Sequence, residues 1–222
     1  MRSHVRTMRV PGLVSVSIGQ AGEAAYIQAK AWVAQRLIAA AWERSLASGV
    51  GVKPWPWADT YPVARLEAPR QGAASMVLAG AGARTLAFGP GHVDGTPLPG
   101  DPGNAVVSGH RDTHFAFLRE LRSSDVLVVH SASGRVVRYV VCAIEVVHNK
   151  DVRVLLDTGD DRLTLVTGYP FDSAAPGGSL RYVVVATRTL SPSPRPSPAR
   201  GEGDDETLDG GSRSGLPKMR LH

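Results

Sequence analysis

Short apolar runs separated by turn-forming residues dominate the middle of the chain. They fall at Ser75–Ala79, Ala105–Ser108, Val126–Val129, Val136–Val147, Leu163–Thr167 and Tyr182–Thr187. Val and Leu prevail in them, and Gly, Asp or Pro bounds many of them, which is the pattern of short β-strands. Ser131-Ala132-Ser133-Gly134 separates two such runs and reads as a hairpin turn. Only Thr113–Leu121 looks helical here: Phe117 and Leu121 are four apart, and Asp112 or Thr113 stands where a cap belongs. So many strands with so little helix predict an all-β sandwich or closed barrel over residues 61–189.

The periodicity changes upstream. From Tyr26 to Ala47, Ile27, Ala31, Ala34, Ile38, Ala41 and Trp42 recur at three-and-four spacing in an Ala-rich context, with Gly49 as a stop, which predicts a packing helix. Lys53-Pro54-Trp55-Pro56-Trp57 cannot continue it, since each proline lacks an N–H and restricts the residue before it. Residues 26–60 therefore read as a helix followed by a stiff linker with aromatic anchors. Residues 1–25 pair a basic start with a short apolar stretch from Val10 to Ile18, the layout of a weak or degraded membrane anchor, with a disordered leader as the alternative. Residues 190–222 open with Ser-Pro-Ser-Pro-Arg-Pro-Ser-Pro and continue in Gly and charge; so few apolar groups cannot offset ordering entropy, and disorder is expected.

Composition narrows the function. With 43% hydrophobic and 20% charged residues in 222, the chain is ordinary globular material. The net charge of +5 invites a nucleic-acid reading, but its location removes it. Arg2, Arg6 and Arg9 crowd the start, the tail carries as many acids as bases, and no basic face is left for the middle. Cys142 is the single cysteine, so no intrachain disulfide forms. Its apolar run predicts a small buried hydrophobe.

Three separated segments carry the candidate chemistry. Ser108-Gly109-His110-Arg111-Asp112-Thr113-His114 follows one strand-like run. Leu163-Thr164-Leu165-Val166-Thr167-Gly168-Tyr169-Pro170-Phe171-Asp172 ends another, and Leu180-Arg181-Tyr182 opens the last. A histidine, a strand-end position and an arginine suit acyl transfer when a nucleophile is present.

In order and spacing these segments resemble the sortases, which carry Gly-His after a central strand, Thr-Leu-x-Thr-Cys at a strand end and Arg at a late strand. Gly91-His92, Leu98-Pro99-Gly100 and Gly103-Asn104 agree as well. The Trp55–Asp59 segment is similar to that of sortases from Gram-negative marine proteobacteria. The resemblance covers about residues 26–188 and implies a closed eight-stranded β-barrel behind an N-terminal helix, facing the periplasm at the inner membrane. It implies His110 as the proton-handling residue, Arg181 as donor to the substrate carbonyl or oxyanion, and Thr167, Tyr169 and Asp112 as substrate contacts. The implied substrate is a protein with a C-terminal Leu-Pro-x-Thr-Gly-like sorting motif, whose acyl group passes to an amine. No metal or organic cofactor follows, and no acidic cluster suggests calcium.

One departure decides the expected activity. Gly168 stands where the family keeps its nucleophilic cysteine, so the chain is expected not to catalyse. Glycine could also be there simply as a turn residue before Tyr-Pro. One base separates Cys from Gly codons, and with the low-complexity tail this suggests a decayed sortase. Two rival readings stand beside it. An inactive barrel could still bind sorting peptides through His110 and Arg181, though Arg181 could equally be a surface ion-pair residue. His110, Asp112 and His114, at alternate positions, would form a metallohydrolase site if the segment were extended, with His92 and His148 elsewhere in the domain.

Overall fold

A computed structural model describes residues 12–156, 159–173 and 177–189. The basic start at residues 1–11 and the Pro-rich tail from residue 190 lie outside them. Helix α1 (Gly12–Ser48) is followed by eight strands: β1 (Pro62–Ala68), β2 (Ala73–Ala79), β3 (Gly91–His92), β4 (Asn104–Ser108), β5 (Val126–Ser131), β6 (Val136–His148), β7 (Arg162–Tyr169) and β8 (Leu180–Arg188). They close into a barrel in the order β1-β2-β3-β4-β7-β8-β6-β5. The β2–β3 and β4–β7 pairs are parallel and the other pairs antiparallel.

The barrel interior follows from strand alternation. On β7, Leu163, Leu165 and Thr167 point inward and are buried, whereas Arg162, Val166 and Gly168 are half-exposed. Leu66, Val77, Ala105, Val107, Leu127, Val129, Tyr139 and Val184 complete the core. Strand β4 is buried on both faces at Asn104–Val107, which is why it reads as an unbroken apolar run.

Alternation also corrects the expectation for Cys142. On β6 the inward set is Val137, Tyr139 and Val141, so Cys142 falls on the outer face, beside a bulge between Val141 and Ala143. It is exposed, and its thiol donates to the Val185 carbonyl at 3.3 Å. A run apolar on both faces conceals which face is inside.

Helix α1 packs on the barrel through Ala34, Ile38, Ala41, Trp42 and Ser45, while Ala31 and Trp32 are exposed. It ends as expected at Gly49, whose φ of 69° allows its N–H to reach the Ser45 carbonyl at 2.9 Å. It starts earlier than the periodicity predicts, at Gly12 instead of Tyr26. Helix propagation needs no new nucleus, so the weak formers Gly12, Ser15, Ser17, Gly19 and Gly22 extend a helix already nucleated by the Ala-rich turns. Among the described residues no helix is long and apolar enough to cross a membrane. In the linker, Trp55 is an anchor, edge-on to Phe88 at 5.1 Å between ring centroids, but Trp57 is not and stays exposed.

Candidate active site

Strand pairing brings the three motif segments together. Ser108 is the register partner of Val166 across the parallel β4–β7 pair, so Gly109 and His110 leave β4 at the level where β7 reaches Thr167 and Gly168. Two bonds fix that junction: the Gly109 N–H donates to the Val166 carbonyl at 3.1 Å, and the Thr167 hydroxyl donates to the Gly109 carbonyl at 2.7 Å. Across the antiparallel β7–β8 pair, Gly168 is the direct partner of Arg181, a Cα separation of about 5 Å for such pairs. His110, Arg111, Asp112, Thr167, Gly168 and Arg181 thus line one cavity of about 420 Å³.

The two motif glycines differ. A Cβ on Gly109 would sit 2.7 Å from the Phe115 ring, so this position requires glycine to let the aromatic core residue pack beneath the loop. Gly168 carries no such requirement. It lies inside β7 and is not among the glycines with positive φ. A Cβ built on it would meet only the Arg111 side chain, at 3.4 Å from Nη1 and 3.5 Å from Cδ. The reading of Gly168 as a turn residue before Tyr-Pro therefore has no support in the backbone, and a Cβ fits there.

A sortase-domain family model matches residues 66–189, more than half the chain. The chain belongs to the sortase family. Sortase D of Bacillus subtilis (strain 168) is 32% identical over 124 residues, covering 55% of this chain and 62% of that protein, so the chain spans less than two thirds of that relative. Among solved structures, sortase C-1 from Actinomyces oris is 32% identical with a TM-score of 0.53, covering 59% of this chain and 75% of that one. Sortase A from Corynebacterium diphtheriae is 28% identical with a TM-score of 0.55, covering 63% and 66%.

Each expected site residue of this sortase has a definite place. His110 is exposed at the cavity mouth. Arg181 is half-buried, and its Nη1 donates to the Gly178 carbonyl at 2.7 Å and the Leu180 carbonyl at 2.9 Å. Thr167 is buried, with its hydroxyl engaged by Gly109. Tyr169 lies beside the cavity, stacked on Tyr182 at 6.2 Å, with Phe171 edge-on to both. Asp112 is exposed and does not cap: the helical piece is only a 3₁₀ turn, Ala116–Glu120, whose first flanking residue is Phe115, with no side-chain cap bond.

The same turn removes the metal reading. Residues 111–115 form turns, not the extended segment that alternation needed, and among the described residues no three His, Cys, Asp or Glu side chains gather to hold a metal. His92 is buried against the Thr96 hydroxyl at 3.1 Å and the Pro97 carbonyl at 2.9 Å, a structural role. Burial, and then the neighbouring His110, hold the His114 imidazole below its ordinary value of 6.5. The folded chain thus refuses a proton that the unfolded chain accepts, so stability falls as pH drops below about 6.5. Urea midpoints at pH 7 and pH 5.5 should differ less in His114→Gln than in the parent; an unchanged difference would exclude this source.

Sequence reasoning missed two features. Arg111 lies over Gly168, its Nη2 donating to the Ser173 carbonyl at 2.6 Å, and its only sequence signal is adjacency to His110. The second is a pair of cavities along the outer face of β7 and β8. Thr164, Val166 and Gly168 share that face of β7, with Val185, Val183 and Arg181 beside them on β8. One, of about 230 Å³, lies beside the 3₁₀ turn at Val152–Leu155 and shares no lining residue with the other, the cavity at Gly168. From Thr164 to Gly168 is about 13 Å at the usual rise per residue, the length of four extended residues.

Asn104 holds that turn. Its Nδ2 donates to the carbonyls of Val154 and Leu156, both at 3.0 Å, while its Oδ1 accepts from the buried Thr164 hydroxyl at 2.7 Å. Asn104→Ala leaves all three partners unpaired and is expected to cost about 1–3 kcal/mol. Hydrogen exchange should show faster opening confined to residues 150–156. Unchanged protection there would mean the turn is held by something else.

Proposed function

We propose that this chain is a sortase whose transpeptidation site has lost its nucleophile and now binds sorting peptides without cleaving them. The observation that carries this reading is position 168 itself. It shares one cavity with His110 and Arg181, it accepts a Cβ at ordinary contact distance, and it bears no side chain. Glycine offers no atom to attack a carbonyl, and losing the nucleophile of a triad-type enzyme typically costs on the order of a million-fold in turnover. Cys142 is no substitute. It sits on β6 opposite the Val185–Ala186 step, about 13 Å along β8 from Arg181 by strand rise.

The reaction this site is shaped for needs a thiolate at 168 to attack the threonyl carbonyl of a Leu-Pro-x-Thr-Gly-like motif. His110 would protonate the departing amine, and Arg181 would stabilise the oxyanion. An amine would then resolve the thioacyl intermediate. What supports peptide binding in the present chain is the cavity at Gly168, which retains both His110 and Arg181, with a second cavity bordered by Val183 and Val185 farther along the same β7–β8 face. The test is cleavage of quenched Leu-Pro-x-Thr-Gly peptides by this chain and by Gly168→Cys. Cleavage by the chain as it stands would place the nucleophile elsewhere and end this reading.

A further inference from the structure

We infer that the cavity at Gly168 is a carboxylate site, and that the preferred ligand is a peptide ending there in a free α-carboxylate. The inference rests on reading the Gly168 site as peptide-binding.

Two guanidinium groups converge on the cavity from different elements. Arg181 arrives from β8 as the strand partner of Gly168, oriented by the bonds of its Nη1 to Gly178 and Leu180. Arg111 arrives from the loop after β4, oriented by its bond to the Ser173 carbonyl, with Nη1 3.4 Å from where a Cβ on residue 168 would be. Asp112 is the one acid among the described residues lining the cavity, and it is exposed. Two guanidinium groups thus stand against one exposed carboxylate among the described residues that line the cavity.

Glycine at 168 opens the space between them. Gly177 and Gly178 line the same cavity and add no side chain to it. An internal peptide bond placed there offers one neutral carbonyl. A chain terminus offers two charged oxygens, the partner whose planar geometry a guanidinium fork matches and whose hydrogen bonds are charge-assisted. Because no covalent bond forms at 168, that difference in charge alone decides which peptide stays. The chemistry selected is that of a cleaved motif, the acid, over the intact one.

The test is fluorescence anisotropy of the full chain with fluorescein-labelled Leu-Pro-Ala-Thr as the free acid and as the C-terminal amide. The acid should bind about tenfold tighter or better, since the charge-assisted pair is formed by it alone. Its advantage should shrink as salt is raised from about 0.05 to 0.5 M. Arg111→Ala should reduce the advantage to within about threefold, with Arg111→Lys retaining more of it because the charge remains while the fork is lost. Equal binding of acid and amide by the parent overturns the carboxylate site but leaves peptide binding standing. An acid preference unchanged in both Arg111→Ala and Arg181→Ala overturns it too, by placing the carboxylate elsewhere. If neither peptide binds, the peptide-binding reading fails and this inference fails with it.

Discussion

Gly168→Cys should cleave Leu-Pro-x-Thr-Gly peptides on the order of a million-fold faster than the parent chain, whose rate should not rise above background. Three observations set that expectation. The Cβ of the new side chain meets Arg111 at ordinary contact distance, so no backbone need shift. The new thiol would share its cavity with His110 and Arg181, already placed by strand pairing rather than by the missing residue. Two guanidinium groups beside it favour thiolate, which should draw its pKa below the ordinary thiol value and make it reactive near neutrality. Thiol-blocking reagents should abolish the activity. Removing a nearby cation raises a thiol pKa, so in the Gly168→Cys background Arg111→Ala should move the ascending limb of the pH–rate profile to higher pH. If the folded variant binds the peptides but stays inert over the whole pH range, His110 and Arg181 do not form the catalytic pair.

Phe115→Ala should lower stability by about 3–5 kcal/mol, the cost of deleting a fully buried phenylalanine. For a chain of this size that corresponds to a melting temperature lower by roughly 6–20 °C. Phe115 closes the site loop onto the core in two ways: its N–H donates to the His110 carbonyl at 2.9 Å, and its ring lies under Gly109 and edge-on to Phe117 at 6.0 Å. The variant should therefore lose peptide affinity even at temperatures where it remains folded. A thermal shift smaller than that expected from about 1 kcal/mol would mean the loop does not depend on this ring.

Much of the barrel was legible because its strands announce themselves. The runs at β2, β4, β5, β6, β7 and β8 sit where alternating or continuous Val and Leu predict them, and the Ser131–Gly134 hairpin follows from its turn residues. β3 was not legible, since Gly91-His92 is too short to carry a period, and β1 begins at a proline and interleaves Arg65 and Glu67 among small residues. Cys142 was misjudged because Val140 to Ile144 are all apolar, and only pairing with β8 fixes which of them turn outward. Within the site, His110, Gly168 and Arg181 were legible as motif positions. Arg111 was not, because its placement over Gly168 depends on the turn at residues 111–115, whose shape no spacing encodes.

The parallel pairing of β4 with β7 also governs when the site comes into being. The bond from Thr167 to Gly109 joins residues 58 positions apart, and the loop it closes contains β5 and β6. Loop-closure entropy must be met before such a contact returns anything, so distant pairings form late and slowly. A chain leaving the ribosome can zip β5 to β6 as a local hairpin, but Gly109 has no partner until β7 has been made, and the neighbouring Arg181 follows only with β8. A site built from these residues is thus withheld from every partly synthesised form that lacks β8 and arrives with barrel closure itself.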